Sequence, residues 1–296
     1  MPKWGQEVIG DEHLIVSSGQ AGYLAFALRG LNIPTKLISS IGGDHFGNMI
    51  LSDLQAVGVD SEGVEICQDL ATGISVAVAR PDGERAFVTS LGSMSAFSLE
   101  MALRNWEYTL DSEIVCLVGI FMLSKLGLGG AKNLLHRARS EGKVTLLDTG
   151  WDPANWPESS RNGIWEMLSE VTIFLPNIDE AFAITNRKSV EEAAQDLLSM
   201  GPKLIAIKCG QNGSYGTDGE QSYWVGVRPV EVFDVVGAGD NFNAGFLWGL
   251  RSGWPLKACL AFGNTTASLY VSKKNNRFPQ LEFALSAAHT SYQFIP

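Results

Sequence analysis

The chain has 296 residues, of which 45% are apolar, enough for one large α/β domain or two medium ones with a buried core. Its formal net charge of −10 argues against a nucleic-acid polymer as a partner, because contacts to phosphate dominate such binding. No apolar run is long enough to cross a membrane, and the first residues show no basic region followed by an apolar one. We therefore expect a cytoplasmic protein that engages neither a membrane nor nucleic acid.

Segments with helical spacing alternate with strand-like segments through most of the chain. The predicted helices are, in chain order, AGYLAFALRGL, FGNMILSDLQAVGV, LGGAKNLLHRARSEG, GIWEMLSEV and SVEEAAQDLLSMG. The predicted strands are TKLISSIG, EIVCLVGIF, KVTLLDTG, TIFLPN and KLIAIKCG. Such repeated units predict a mainly parallel sheet covered by helices on both faces. The last third of the chain is predicted to be mostly helical.

Two segments interrupt this alternation and are predicted to be β-hairpins. The first, TGISVAVARPDGERAFVTSLG, turns at Pro81-Asp82-Gly83, and the second is SYGTDGEQSYWVGV. The first hairpin, over residues 72–91, breaks the rhythm of strands and helices. We expect it to form a small separate sheet or a lid, and because no clear linker is present we expect one domain with this excursion.

The stretch VEVFDVVGAGDNFNAGFLWGL, residues 230–250, passes from an apolar segment through two glycines and an acid into a helical segment. The helix is predicted to begin near Ala238 to Asp240, from the apolar residues on its one face, which are Phe242, Phe246, Leu247 and Leu250. The first N–H groups of a helix have no intrahelical partner and lie at the positive end of its dipole. Gly237 and Gly239 let the backbone approach a ligand closely. Together these features predict an anion site suited to phosphate.

Asp240 has two interpretations at this helix start. It is well placed to take a proton from a hydroxyl that attacks a phosphoryl group, or it caps the helix and does nothing more. The local stretch alone does not decide between them. It is not a Walker A loop, because no Gly-Lys-Ser/Thr follows, and it is not a dinucleotide fingerprint, because the third glycine is out of step.

The order of motifs along the chain is more informative than any one of them. The motifs are SSGQAGYLAFALRGL with SSIGGDHFGNMILSDLQAVGV, then TGISVAVARPDGERAF, LPNIDEA, IKCGQNGSYG and DVVGAGDNFNAGF. In this order they resemble the glycine motif, lid hairpin, Asn-x-x-Glu motif, nucleotide loop and C-terminal signature of the ribokinase-like (PfkB-type) carbohydrate kinases. The resemblance covers nearly the whole chain. It implies a three-layer α/β/α sandwich with a mainly parallel central sheet, formed by residues 17–70 and 93–296, and a small β lid formed by residues 1–16 and 71–92.

The resemblance also implies a reaction, the ATP-dependent transfer of a γ-phosphoryl group to a hydroxyl of a sugar or related polyol. Asp240 would be the catalytic base, and the backbone of Gly237, Ala238 and Gly239 would form the anion hole. The implied cofactor is Mg²⁺. Asn177 and Glu180 would organise this ion, through water, and the nucleotide phosphates. The alternative for these two residues is an ordinary strand-end turn and helix cap.

Further residues acquire expected roles from the same resemblance. The segment from Lys208 to Gly213 would border the nucleotide, with Gly210 and Gly213 allowing the turn. Asn264 would lie near the adenine or ribose, or would be an ordinary asparagine of a buried helix.

The resemblance carries two implications that reach beyond the nucleotide. Asp234 and the backbone of Val236 match positions that hold a monovalent cation, K⁺, in some members, and the alternative for Asp234 is a structural turn carboxylate. Lids of this kind often pair across a homodimer. The alternative is that the apolar face of the lid covers the substrate in a monomer.

The sequence departs from the family pattern where the sugar is expected to bind. Gly19 and Gln20 match the glycine motif that meets the sugar, but Tyr23 replaces a sugar-binding asparagine. Asparagine offers donors and acceptors to hydroxyls, whereas tyrosine offers one hydroxyl and a stacking face. That difference argues against ribose, and it leaves open a nucleoside acceptor whose base would stack on Tyr23 or on an aromatic residue of the lid. Val235 replaces the usual threonine after the first aspartate, which removes a hydroxyl from the loop but not the base.

A second departure concerns the first strand of the sheet. Family members begin with a strand that ends in a substrate-binding aspartate, whereas PKWGQEVIGDEHLIVSSG aligns with the lid segment that follows it. We expect that this strand lies upstream, is supplied otherwise or is lost. Asp11 and Glu12 are expected to be surface acids. The truncated start and the altered glycine motif also motivate an alternative function, a non-catalytic relative that binds sugar or nucleotide.

Overall fold

The structure, a computed structural model, describes residues 5–9, 13–79, 85–274 and 277–296. Ten α-helices occur in these residues. Their bounds are α1 Gln20–Gly30, α2 His45–Ala56, α3 Leu99–Arg104, α4 Gly127–Ser140, α5 Glu158–Leu168, α6 Ile178–Thr185, α7 Val190–Ser199, α8 Ala238–Arg251, α9 Leu256–Val271 and α10 Leu281–Ser291. None of these helices combines the length and apolarity that a membrane span needs.

The described residues also contain ten strands in three sheets. Their bounds are β1 Ser39–Gly42, β2 Val64–Cys67, β3 Ile74–Ala79, β4 Arg85–Ser90, β5 Ile114–Val118, β6 Val144–Asp148, β7 Ile173–Phe174, β8 Leu204–Lys208, β9 Ser214–Thr217 and β10 Ser222–Val225. The central sheet has the order β10-β9-β8-β7-β6-β5. Strands β5 to β8 are parallel, whereas β9 and β10 run antiparallel to their neighbours. The predicted mainly parallel sheet is therefore confirmed.

Apolar cores cover both faces of the central sheet. On one face Leu147, Phe174 and Ile205 pack in a cluster with residues of α4 to α7. On the other face Leu146 and Ala206 pack with residues of α1, α8, α9 and α10. Neighbouring residues of a strand point to opposite faces, so two apolar residues in succession require a helical layer on each side. This arrangement confirms the predicted three-layer α/β/α sandwich.

The predicted lid hairpin is present as a two-stranded antiparallel sheet, β3 with β4, separate from the central sheet. Val76 pairs with Val88 on one face, and these side chains belong to residues that are 57% and 70% exposed. Ser75 pairs with Thr89 on the opposite face, where both residues line a cavity of about 710 Å³. The turn predicted at residues 81–83 lies outside the described residues, as do residues 11 and 12.

The strand predicted over residues 35–42 does not join the central sheet. It forms β1, which pairs in parallel with β2, a strand that the sequence pattern did not reveal. In the described residues, β5 is the end strand of the central sheet, and its edge away from β6 pairs with no other strand. Helices α3 and α6 were also not predicted, because each is too short to show a helical period.

Candidate active site

The ends of three parallel strands meet the start of α8 at one edge of the central sheet. Asp148 is the last residue of β6, and Lys208 is the last residue of β8. Asn177, which follows β7, forms a parallel bridge with Lys208, and the N–H of Lys208 donates to the carbonyl of Pro176 at 3.0 Å. The carboxyl edge of a parallel sheet is where ligands bind in open α/β folds. The structure therefore brings the Asn-x-x-Glu motif and the nucleotide loop side by side.

The glycine turn that begins α8 has the geometry of an anion site. Gly237 has φ +89° and precedes the first helical residue, Ala238, as the residue spacing predicted. A Cβ atom on Gly237 would lie 2.9 Å from the hydroxyl of Tyr270, so a side chain has no room here. The side chain of Asn241 donates to the carbonyl of Gly237 at 2.9 Å, which holds the turn. The first N–H groups of α8 are thereby fixed at the positive end of its dipole.

Asp240 lies in the first turn of α8 and is almost completely buried, with 6% of its surface exposed. Its Oδ1 atom has no hydrogen-bond partner in the described part of the chain. Burial, and then the nearby charge of Asp148, raises the pKa of the Asp240 carboxyl well above its ordinary value. A buried carboxylate with a free oxygen and a raised pKa is suited to accept a proton from an alcohol.

Lys208 places a positive charge beside the acidic side chains of this pocket. Its Nζ atom lies 2.5 Å from Asp148 Oδ2 and donates to Asn243 Oδ1 at 3.4 Å. The Asn243 side chain in turn donates to Asp148 at 2.6 Å. Burial opposes the charge of Lys208, but attraction by Asp148 and Glu180 keeps its pKa above the usual value.

Lys208 begins the segment that is expected to border a nucleotide, and that role stays a prediction. Its side chain extends under the glycine turn, and a Cβ atom on Gly239 would lie 3.3 Å from its Nζ. Its backbone, by contrast, remains at the start of the nucleotide loop. Sequence reasoning missed both partners of this lysine, Asp148 and Asn243. The only signals were an acid at the end of an apolar strand and a second asparagine in the motif GAGDNFN.

Asn177 and Glu180 form a capping box at the start of α6. The Asn177 side chain accepts the N–H of Glu180 at 2.9 Å, and the Glu180 carboxylate accepts the N–H of Asn177 at 2.9 Å. The cap that the sequence offered as the alternative for these residues is therefore present. Glu180 is only 3% exposed, and burial, followed by the charge of Asp148, raises the pKa of its carboxyl to about 7. A carboxylate that only capped a helix would not need to be buried, so the burial of Glu180 favours a further role.

The charge balance of this pocket favours a divalent cation. Asp148, Glu180 and Asp240 influence one another electrostatically, and Lys208 is the cation that opposes them. Within the described ranges no group of three or more histidine, cysteine or acidic residues lies close enough to hold a metal ion directly. Mg²⁺ keeps several waters and uses one or two carboxylates together with phosphate oxygens. The residues present therefore fit a magnesium ion held through water and the phosphates of a nucleotide.

The nucleotide loop and Asn264 converge on one carbonyl group. Gly213 has φ +92°, and its N–H donates to the carbonyl of Gly210 at 3.0 Å, closing the predicted turn. The Asn264 side chain, on α9, donates to the carbonyl of Val225 at 2.8 Å. That carbonyl lies directly against Gly213, so a Cβ atom there would come within 2.0 Å of it. Asn264 is thus a brace for the loop in this structure, and its contact to a nucleotide stays a prediction.

Gly213→Ala is expected to destabilise the protein by more than about 2 kcal/mol, because it combines overpacking with a backbone conformation that L-residues avoid. The matched control is Gly210→Ala, whose Cβ atom would meet nothing within 4 Å. That change is expected to cost about 1 kcal/mol from its positive φ alone. Denaturant unfolding of both variants measures the difference, and ATP binding by calorimetry should weaken more for Gly213→Ala. Equal losses of stability in the two variants would contradict the assigned contact.

The glycine motif at the start of α1 lies against the same site. Gly19 caps the helix with φ +91°, and Gln20 places its Oε1 atom beside Gly119 and Gly150, which follow β5 and β6. Tyr23, by contrast, is buried in a cluster with Tyr270, Val271 and Phe278 that also contacts the glycine turn. Its ring packs at 6.1 Å from Tyr270 and 6.0 Å from Phe278. Stacking of Tyr23 on a ligand would therefore require this cluster to open.

A cavity of about 710 Å³ extends from the glycine motif along the open edge of β5. Gly19 and Gln20 line one end, together with Ser75 and Thr89 from the inner face of the lid. Asp240 is not part of its lining. A sugar-sized molecule fits in this volume.

The loop that precedes the glycine turn is held by an ion pair. The Arg277 guanidinium donates to Asp234 Oδ2 at 2.8 Å, and Asp234 Oδ1 accepts the N–H of Val236 at 2.9 Å. Sequence reasoning missed Arg277, which lies 43 positions from Asp234 and belongs to no recognised motif. Asp234, one of the two positions expected to hold a monovalent cation, therefore contacts a side-chain cation.

Comparison with known proteins agrees with this geometry. A family model described as pfkB family carbohydrate kinase matches residues 16–282. The 2-dehydro-3-deoxygluconokinase of Bacillus subtilis (strain 168) is 27% identical over 259 residues, covering 86% of this chain and 80% of that protein. The structure of Arabidopsis thaliana ribokinase with ribose and ATP has a TM-score of 0.84 and 23% identity, covering 97% of this chain and 92% of that one.

A crystal structure of a candidate ribokinase II from Escherichia coli, in complex with ATP and Mg²⁺, is similar to the same degree. Its TM-score is 0.85 at 22% identity, with 97% of this chain and 94% of that chain covered. At such identities the solved structures establish the fold, whereas the family model spans well over half of the sequence. The chain belongs to the pfkB family of carbohydrate kinases, which are phosphotransferases with an alcohol group as acceptor.

Proposed function

We propose that the protein is an ATP-dependent kinase that transfers the γ-phosphoryl group to a hydroxyl of a sugar or related polyol. The observation that carries the proposal is Asp240, a buried carboxylate with an unpartnered oxygen in the first turn of α8. A carboxylate is costly to bury without partners, so its presence beside an anion site favours a chemical role. The named relatives that phosphorylate sugars support the same reaction class.

In this proposal Asp240 accepts the proton of the attacking hydroxyl. Its raised pKa makes the carboxylate a stronger base than an ordinary aspartate, while the ionised fraction increases with pH. The backbone N–H groups of Gly237, Ala238 and Gly239 donate to the oxygens of the transferred phosphoryl group, on which charge develops. These donors are preorganised because the turn is already closed.

On the nucleotide side, the turn from Gly210 to Gly213 would border the nucleotide, and Asn264 would hold that turn through Val225. Mg²⁺, when bound with ATP, neutralises charge on the phosphates. Asn177 and Glu180 would orient the water molecules around that ion. Gln20 and the backbone of Gly19 would contact the acceptor from the cavity beneath the lid.

The nucleoside alternative depended on Tyr23 or a lid aromatic as a stacking platform. The burial of the Tyr23 ring removes the first of these supports, whereas Phe87 of the lid is exposed. The non-catalytic alternative is separated from the kinase by turnover. The test is ADP release from ATP and Mg²⁺ across a panel of aldoses, ketoses, keto-deoxy sugar acids, polyols and nucleosides, with Asp240→Asn as the control. Turnover with one acceptor, absent in the variant, supports the proposal, whereas tight ATP binding without any phosphorylated product would favour the binding protein.

The outer face of the lid bears on the oligomeric state. Val76 and Val88, which pair on that face, are both largely exposed, and exposed apolar patches often mark contact surfaces. A homodimer through the lid is part of our proposal. Light scattering should give the mass of two chains for the unsubstituted protein and the mass of one chain for Val88→Asp.

A further inference from the structure

Arg277 lies where the family resemblance places a monovalent cation. Its Nη1 atom donates to Asp234 Oδ2 at 2.8 Å, and its Nη2 atom donates to the main-chain carbonyl of Asp234 at 2.9 Å. The other carboxylate oxygen, Oδ1, accepts the N–H of Val236 at 2.9 Å. The three Asp234 oxygens therefore already accept hydrogen bonds. A potassium ion at this point would also be repelled by the neighbouring guanidinium charge, so the residues present do not fit it.

Arg277 is a fixed part of the interior. The residue is 9% exposed, and its guanidinium carbon lies 4.1 Å from the centre of the Tyr270 ring. This arrangement places the cation over an aromatic face, which is favourable for arginine. Arginine keeps its charge at every pH at which proteins function. The positive charge behind the glycine turn is thus permanent and held in one place.

Arg277 reaches the anion hole by two routes. Through Asp234 it holds the loop that leads to Gly237, and the N–H of Asp234 donates to the carbonyl of Val271 at 3.2 Å. Through Tyr270 it supports the turn directly, because the Tyr270 hydroxyl packs against Gly237. A displacement of Arg277 would therefore be passed to the N–H groups that are proposed to hold the phosphoryl oxygens.

We propose that Arg277 is a built-in cation that takes the place of a monovalent ion behind the anion hole, so that phosphoryl transfer by this protein needs no potassium. In this role it is a positioning residue, which acts on the N–H groups of Gly237 to Gly239 through Asp234 and Tyr270. The activity part of the inference rests on the proposed kinase function. The cation-binding part stands on the contacts of Arg277 alone.

The activity test compares salts of potassium, sodium and N-methylglucamine at equal ionic strength. The unsubstituted protein is expected to show the same kcat in all three. Arg277→Ala is expected to lose about 10- to 100-fold in kcat in N-methylglucamine, because misplaced donors lose transition-state contacts, with a smaller change in the KM for ATP. Potassium or millimolar guanidinium should restore part of the lost kcat, which a merely structural role would not produce.

Two further variants keep the test decisive. Arg277→Lys retains a charge and should keep more activity than Arg277→Ala, without a response to potassium. The control is Arg187→Ala, because Arg187 also pairs with an aspartate, Asp196, but at the exposed surface. This variant should leave kcat and its salt response unchanged. Potassium activation of the unsubstituted protein would overturn the proposal. Full kcat in Arg277→Ala, with no response to either cation, would overturn it as well.

A measurement without turnover separates this inference from the proposed function. Thermal unfolding of Arg277→Ala should shift upward in potassium relative to N-methylglucamine, because the vacated oxygens can then bind the ion. The unsubstituted protein should show no such shift. This outcome would support the inference even if no acceptor were phosphorylated, and a potassium shift of equal size in both proteins would contradict it.

Discussion

Asp240→Asn is expected to lower kcat by about 1,000-fold, because a positioned general base contributes about 100- to 10,000-fold to such reactions. An amide of the same shape cannot accept the proton of the hydroxyl, whereas the glycine turn that binds phosphate is unaltered. The dissociation constant of ATP, measured by calorimetry, should therefore change little. Full kcat in the variant, with the same acceptor, would show that Asp240 is not the base.

The same substitution has an expected effect on stability that does not depend on any substrate. The pKa of Asp240 is raised in the folded protein, so the folded state keeps a proton that the unfolded chain releases, and stability falls as the pH increases above the pKa of the unfolded chain, about 3.9. Asparagine has no such charge. The melting temperature of Asp240→Asn relative to the unsubstituted protein should hence rise as the pH increases from about 4 toward neutrality. A difference that is independent of pH would contradict the assigned burial of charge.

Lys208→Met is expected to destabilise the protein by about 3–5 kcal/mol, because it leaves the buried charge of Asp148 without its partner. The Nζ atom of Lys208 lies 2.5 Å from that carboxylate, and both side chains are nearly excluded from solvent, at 12% and 3% exposure. Loss of this cation also raises the pKa of Asp240 further, since Lys208 opposes that shift. The acidic limb of the kcat/KM profile should consequently move to higher pH.

A double substitution distinguishes the charge from the packing of Lys208. Combining Lys208→Met with Asp148→Asn removes both charges and should recover most of the lost stability. One unpaired buried charge destabilises the fold more than the absence of both charges does. The surface control is Arg187→Met, which breaks an exposed pair with Asp196 and should cost no more than about 1 kcal/mol. Urea unfolding of the three variants provides the comparison. Equal losses of stability in Lys208→Met and Arg187→Met would contradict the assigned burial of the Lys208 charge inside the site.

Local features of the fold could be predicted from the sequence because they depend on neighbouring residues. The apolar spacing after Gly239 predicted the start of α8, and Ser189 with the acids that follow it predicted the start of α7. The parallel sheet followed from apolar strands separated by helices. Short elements such as α3 and β2 could not be predicted, since four to six residues show no clear period.

The contacts of the site were less predictable because they join distant parts of the chain. Lys208 meets Asp148 across 60 positions, and Asn243 meets Asp148 across 95. No spacing rule connects such residues in one sequence. The sequence placed Lys208 at the start of the nucleotide loop but did not show that its side chain lies under the glycine turn, at the end of β8.

By itself the sequence determined the layers of the fold, the glycine turn and the acid in the first turn of α8, since periodicity and backbone freedom are local properties. Only the tertiary structure decided which charges share the pocket and which aromatic rings are covered. Tyr23 is buried because α1 packs against the end of α9, and Arg277 pairs with Asp234 because the chain returns to that loop. Burial and long-range pairing set the pKa of Asp240 and the cation behind the anion hole, and both arise only when the layers assemble.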